Sequence, residues 1–106
     1  MLAGVRVAKS KCLMKKSFII YYNNHIIVNK YAENLAKTIF ELGLKKGDNV
    51  TCYPFNFFKD EKTDYKEESK DYHEELLTVK LINTTLTETW NSCVNTTIEI
   101  FLINSY

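Results

Sequence analysis

Glycine is scarce in this chain. Gly4, Gly43 and Gly47 are the only ones, and none follows Gly47 through the second half. A loop that cradles phosphates needs glycines, because their bare backbone lets amide groups close on the anion. The shortage excludes a P-loop and a dinucleotide-binding fingerprint. Proline occurs once, as Pro54, and histidine twice, as His25 and His73. The three cysteines, Cys12, Cys52 and Cys93, form no CxxC and no Cys/His ligand pair, which excludes a zinc site of the usual spacing. Their odd number reads as buried free thiols. The alternative is one disulfide with a spare thiol, which requires an oxidising compartment. No apolar run approaches membrane-spanning length, and no secretory apolar segment opens the chain. No metal or cofactor is expected, and the expected location is cytoplasmic.

Acids are missing from the start. None precedes Glu33, whereas Arg6, Lys9, Lys11, Lys15, Lys16 and Lys30 do. An acid-free basic start is a weak transit-peptide signal, but with one arginine and few serines it reads better as a solvated lead-in over residues 1–16. The acids are gathered instead in residues 59–75, where eight acids and four lysines stand without an aliphatic side chain. That stretch reads as a charged connector. Net charge is only +1, so no global field draws the chain to nucleic acid. Lysines beside a Phe- and Tyr-rich stretch can hold a single strand, but a core hairpin behind a basic tail accounts for the same residues. Neither histidine is singled out as the partner of a nucleophile.

The residues that are present describe a small folded domain: 45% are hydrophobic and 13% aromatic, too many for a disordered chain. "SFIIYY" and "HIIV" flank Asn23-Asn24. Asparagine tolerates positive φ, so the pair predicts a tight hairpin. Tyr31, Leu35, Ile39 and Leu42 then recur at helical spacing, with Ala32, Ala36 and Phe40 beside them. They predict an amphipathic helix over 30–42, capped by Asn29 and ended by Gly43 in the left-handed conformation. Gly47 and Asp48 turn the chain into a short strand, "NVTCY", which Pro54 stops. "LLTVKLI", "TLTETW" and "TIEIFLI" read as three further strands, with Trp90 as a core anchor. The near-repeat "INTTL" and "VNTTI" recurs twelve residues apart, as in neighbouring strands of a meander. Asn49, Asn83 and Asn95 each begin an Asn-X-Thr triplet that matches the glycosylation pattern. In an Asn- and Thr-rich chain they read as strand and turn residues.

One stretch resembles a known family. Leu35-Ala36, then Leu42-Gly43-Leu44-Lys45-Lys46-Gly47-Asp48, Val50, Pro54 and Asn56 are similar to the N-terminal region of adenylate-forming enzymes, the acyl-CoA synthetases, luciferases and peptide-synthetase adenylation domains. The likeness covers residues 18–56 and stops where the chain turns to "FKDEKTDYKEESKDYHEE". The family activates carboxylic acids with ATP and passes them to CoA, but this region is its scaffold. The family's phosphate loop and catalytic lysine have no counterpart here. The resemblance therefore implies a non-catalytic, truncated or spliced fragment, with Leu35, Ala36, Leu42, Gly43, Gly47 and Asp48 as structural residues and no catalytic, cofactor or metal residue. A similar "LGLKKGD.V" precedes a strand in AbrB-like swapped-hairpin DNA binders, which gives a small regulator as an alternative. A structural or interaction module outside both families is the third reading.

The expected fold is α+β: a hairpin, helix and strand unit over 17–58, a connector over 59–75 and a β-meander over 76–106, with 17–106 as one small domain. A protein partner or a second copy of the chain is admitted. Nucleic acid is not the expected partner.

Overall fold

A computed structural model describes residues 14–58, 73–89 and 93–105. Trp90, Cys12, residues 1–13 of the basic start and residues 59–72 of the charged run lie outside the described residues. The elements run β1 (Lys15–Tyr22), β2 (His25–Ile27), α1 (Lys30–Leu42), β3 (Asn49–Cys52), a 3-10 helix (Pro54–Phe58), β4 (Glu75–Glu88) and β5 (Val94–Asn104). The architecture is α+β, as expected: among the described residues, one α-helix lies on a five-stranded sheet of order β2-β1-β5-β4-β3.

The hairpin forms where the asparagines place it. Asn23 and Asn24 both adopt positive φ, at 50° and 72°. Two successive residues in that region make the turn whose twist matches a two-strand ribbon. The Asn23 amide also donates to the Leu102 carbonyl at 2.9 Å, tying the turn to β5. β5 runs parallel to β1 and antiparallel to β4, which in turn pairs antiparallel with β3. β3, β4 and β5 thus form the meander, and its first strand comes from before the connector.

Helix α1 keeps the predicted bounds. Asn29 has extended backbone and its Oδ1 accepts from the Ala32 amide at 2.9 Å. Glu33, an acid in the first turn, suits the positive end of the helix dipole. At the other end Gly43 sits at φ 75°. Its amide donates to Phe40, and the Leu44 amide donates to Ile39. That pair of bonds is the Schellman closure. It corrects one expectation. Leu42 was placed on the buried stripe, but it is 67% exposed. The left-handed step at Gly43 swings the chain back over the last turn, and of the two leucines expected to bury only Leu44 packs, half-buried, on the core.

Strand alternation separates the two faces of the sheet. On one face Ile20, Leu77, Val79, Ile98, Ile100 and Leu102 are completely buried. Ala32, Ala36 and Ile39 of α1 close over them, and Phe57 of the 3-10 helix fills the end of the core, against the rings of Tyr22 and Tyr31. The other face has no helix over it among the described residues.

The C-terminal strands are fewer and longer than predicted. The first two expected strands are one, β4, fourteen residues long. No glycine or proline interrupts it. Its irregularity is a bulge between Val79 and Leu81, next to the point where Val79 exchanges both backbone bonds with Gly47 and Asp48, each at 2.8 Å. The near-repeat now has a physical meaning: "INTTL" and "VNTTI" lie side by side, with Thr85 opposite Thr97 and Leu86 opposite Thr96.

Candidate functional site

The hairpin is lopsided. β1 has eight residues and β2 has three, and they pair only from Ile20 to Tyr22. The cause is local. The turn at Asn23-Asn24 sets the register, and Asn29 caps a helix only a few residues later, so β2 must end at Ile27. Residues 15–19 of β1 are therefore bonded to β5 on one side and to no strand on the other, among the described residues. A row of unpaired amide and carbonyl groups is a template for another strand.

This open edge borders a groove of about 490 Å³ between β1 and the start of α1. Its walls include Phe18, Ile27, Val28, Lys16, Lys30 and Glu33. Val28 is 83% exposed at its rim, an unusual position for a β-branched apolar side chain. Lys15, Lys16 and Lys30 outnumber Glu33, so the groove is net positive. Lys16 also sits 5.8 Å from the centre of the Phe40 ring, which is tilted against Phe18 at 5.7 Å.

The uncovered sheet face is the second exposed feature. Tyr21 stacks on Phe101 with ring centres 4.2 Å apart and planes 8° apart. Glu99 is bonded from the strands on either side of β5: Oε2 accepts from the Tyr21 hydroxyl at 2.8 Å and Oε1 from the Asn83 side-chain amide at 3.1 Å. The Glu99 hydrogen bond holds the Tyr21 hydroxyl above its ordinary pKa, with burial and the carboxylate charge adding to it. Ile26, Leu76 and Leu81 on the same face are each about half exposed.

The residues singled out by the family likeness lie elsewhere, at the corner after α1. Leu35 is half-buried and Ala36 fully buried against the core. Gly43 closes the helix. Gly47 has φ 94°, and Asp48 folds the turn back by accepting from the Lys45 amide at 2.8 Å through Oδ2 while its own amide donates to the Lys45 carbonyl at 2.9 Å. Every one of these contacts is structural. His25 and His73 are exposed at separate places, and His73 lies 3.3 Å from Glu75. Among the described residues no group of three His, Cys, Asp or Glu side chains could hold a metal ion, and no helix is long and apolar enough to cross a membrane.

The cysteines divide. Cys52 is a free, buried thiol. Cys93 is disulfide-bonded, which corrects the expectation that it is a free thiol. Burial pushes the Cys52 thiol up to about 11, opposed by a hydrogen bond with Tyr31 and reinforced by the charge of Glu75. A thiol so held is no nucleophile at neutral pH. Burial also pushes the Tyr31 hydroxyl up to about 12, although the Tyr53 amide donates to it at 2.7 Å and pulls the other way. Both groups favour their neutral forms when folded, while the unfolded chain ionises them earlier. Stability is full below pH 9 and falls as pH rises, through 9 to 11 for Cys52 and 10 to 12 for Tyr31. The Cys52 share is about 1–2 kcal/mol. Urea midpoints measured from pH 8 to 11 should fall less steeply in Cys52→Ala than in the parent. An equal slope would remove the thiol as the cause.

No protein-family model matches the chain, and no curated protein and no solved structure matches it either.

Proposed function

We propose that the chain is a binding module that takes an extended, acidic peptide segment of another protein as an added strand along residues 15–19 of β1. The observation that carries this reading is the β1 edge beside the groove, which is unpaired among the described residues. Strand addition supplies affinity through main-chain bonds, and pockets for alternate side chains supply selectivity. Phe18 and Ile27 offer an apolar floor, and Val28 an apolar rim. Lys15, Lys16 and Lys30 favour acidic side chains on the incoming strand. The same lysines disfavour a second copy of the chain, which would bring four lysines into one short ladder. Lysine on an edge also guards against indiscriminate pairing, so charge acts here as a filter.

The likeness to adenylate-forming enzymes enters this proposal only as ancestry of a scaffold corner. Leu42 to Asp48 cap a helix and turn a chain, which any such corner requires.

The test uses a capped octapeptide alternating glutamate with valine and the same peptide with lysine in place of glutamate. Fluorescence anisotropy should show binding of the acidic peptide alone, weakening as salt rises. Amide hydrogen exchange should slow at residues 15–19. Lys15→Glu with Lys16→Glu should weaken binding about tenfold or more, a loss of about 1.4 kcal/mol. Absence of binding, or protection confined to β3 at the opposite edge, would overturn the reading. Elution as a dimer with the same edge protected would replace the peptide by a second copy.

A further inference from the structure

The three Asn-X-Thr triplets are scattered in sequence but share a surface in the fold. Asn49 opens β3, Asn83 lies within β4 and Asn95 within β5. Asn49 is paired with Thr78, Asn83 with Glu99 and Thr97 with Thr85, so all three triplets turn their Asn and Thr toward the uncovered face. In a strand, residues two apart point the same way. Each triplet therefore presents its carboxamide and its hydroxyl together. Exposure separates them. Asn49, Thr51, Asn83 and Thr85 are exposed, whereas Asn95 and Thr97 are half-buried in the central strand β5. The disulfide at Cys93 is an independent observation. Disulfides persist in oxidising compartments, the same ones in which asparagine side chains receive glycans.

We infer that Asn83 and Asn49 carry N-linked glycans and Asn95 does not. The donor class is an oligosaccharide linked to a lipid diphosphate. The carboxamide nitrogen of Asn83 attacks the anomeric carbon and forms an N–C bond. The C–O bond to the diphosphate breaks, the lipid diphosphate leaves with the bonding electrons, and the amide gives up one proton to a base of the transferase. The nitrogen keeps its second hydrogen, so the bond from Asn83 to Glu99 survives. A glycan there stands over Leu81 and the Tyr21–Phe101 pair, and covers apolar surface that a monomer would otherwise leave in water. This inference does not depend on the β1 edge, which lies across the sheet from β3 and β4.

The test is made on the chain isolated from the cells that produce it. Peptide N-glycosidase in heavy-oxygen water converts each glycosylated asparagine to a labelled aspartate, which peptide mass spectrometry locates. Labelled aspartate is expected at Asn83 and Asn49, with Asn95 unchanged. In a eukaryotic secretory expression system Thr85→Ala should remove one glycosidase-sensitive step in gel mobility, and Thr85→Ser should retain it. Unlabelled Asn83 would overturn the inference. Label at Asn95 would overturn the selection by exposure.

Discussion

Ile100→Ala is expected to lower stability by about 3–4 kcal/mol, in the upper part of the range for deleting a buried aliphatic side chain. Ile100 is fully buried in the central strand, between Ile20 on β1 and Ile82 on β4. Strands hydrogen-bonded on both sides cannot close in around a hole. The helix cannot fill it either, because two of the three residues it buries, Ala32 and Ala36, have no length to reorient. A domain of this size has only about 5–15 kcal/mol to lose. The melting temperature should therefore drop by about 15 °C or more. Ile103→Ala supplies the contrast. Ile103 is on the same strand but pairs with Thr78 on the uncovered face and is only half-buried. Its loss should cost under about 1 kcal/mol, as for a partly exposed site. Urea denaturation of both variants decides the matter. Equal losses would mean that the second face is covered as well.

The parts of this fold that are local were legible in the residues. Asn23-Asn24 announced the hairpin, and Asn29 and Gly43 bounded the helix, because turn and cap chemistry act within a few residues. What depends on distant partners was not. Leu42 and Leu44 both read as buried, but the chain's reversal at Gly43 leaves Leu42 exposed and only Leu44 packed, half-buried, on the core. Alternation alone divides "LLTVKLI" from "TLTETW", whereas the fold joins most of both in β4. The absence of glycine and proline from that stretch was the better guide. The 3-10 helix at Pro54–Phe58 depends on Phe57 finding Tyr22 and Tyr31, which no local pattern reports. The disulfide at Cys93 was open as an alternative only, since spacing does not pair cysteines. The proposed site was legible in principle. A turn fixed at Asn23-Asn24 and a cap fixed at Asn29 leave β2 too short to match a β-rich run that begins at Lys15. The mismatch is arithmetic, but it becomes a groove only once α1 folds back beside it.

Asn29→Ala should be the most damaging change outside the core. Asn29 does two jobs at one helix end. Its Oδ1 caps α1 through the Ala32 amide, and its Nδ2 donates to the Phe57 carbonyl at 2.6 Å. The first bond is worth about 1 kcal/mol as a cap. Losing the second leaves a half-buried carbonyl without its donor, at a further cost of about 1–2 kcal/mol. That carbonyl belongs to the residue that seals the end of the core, so the loss spreads to the packing of Phe57 with Tyr22 and Tyr31. Asn29→Asp separates the two jobs. Aspartate caps as well as asparagine and gains from the helix dipole, but its carboxylate repels the Phe57 carbonyl. If the bond to Phe57 matters as argued, aspartate recovers the cap and still leaves the protein about 1–2 kcal/mol short of the parent. Denaturation midpoints for parent, Asp and Ala in that order would establish the double role. Full recovery by aspartate would reduce Asn29 to a helix cap.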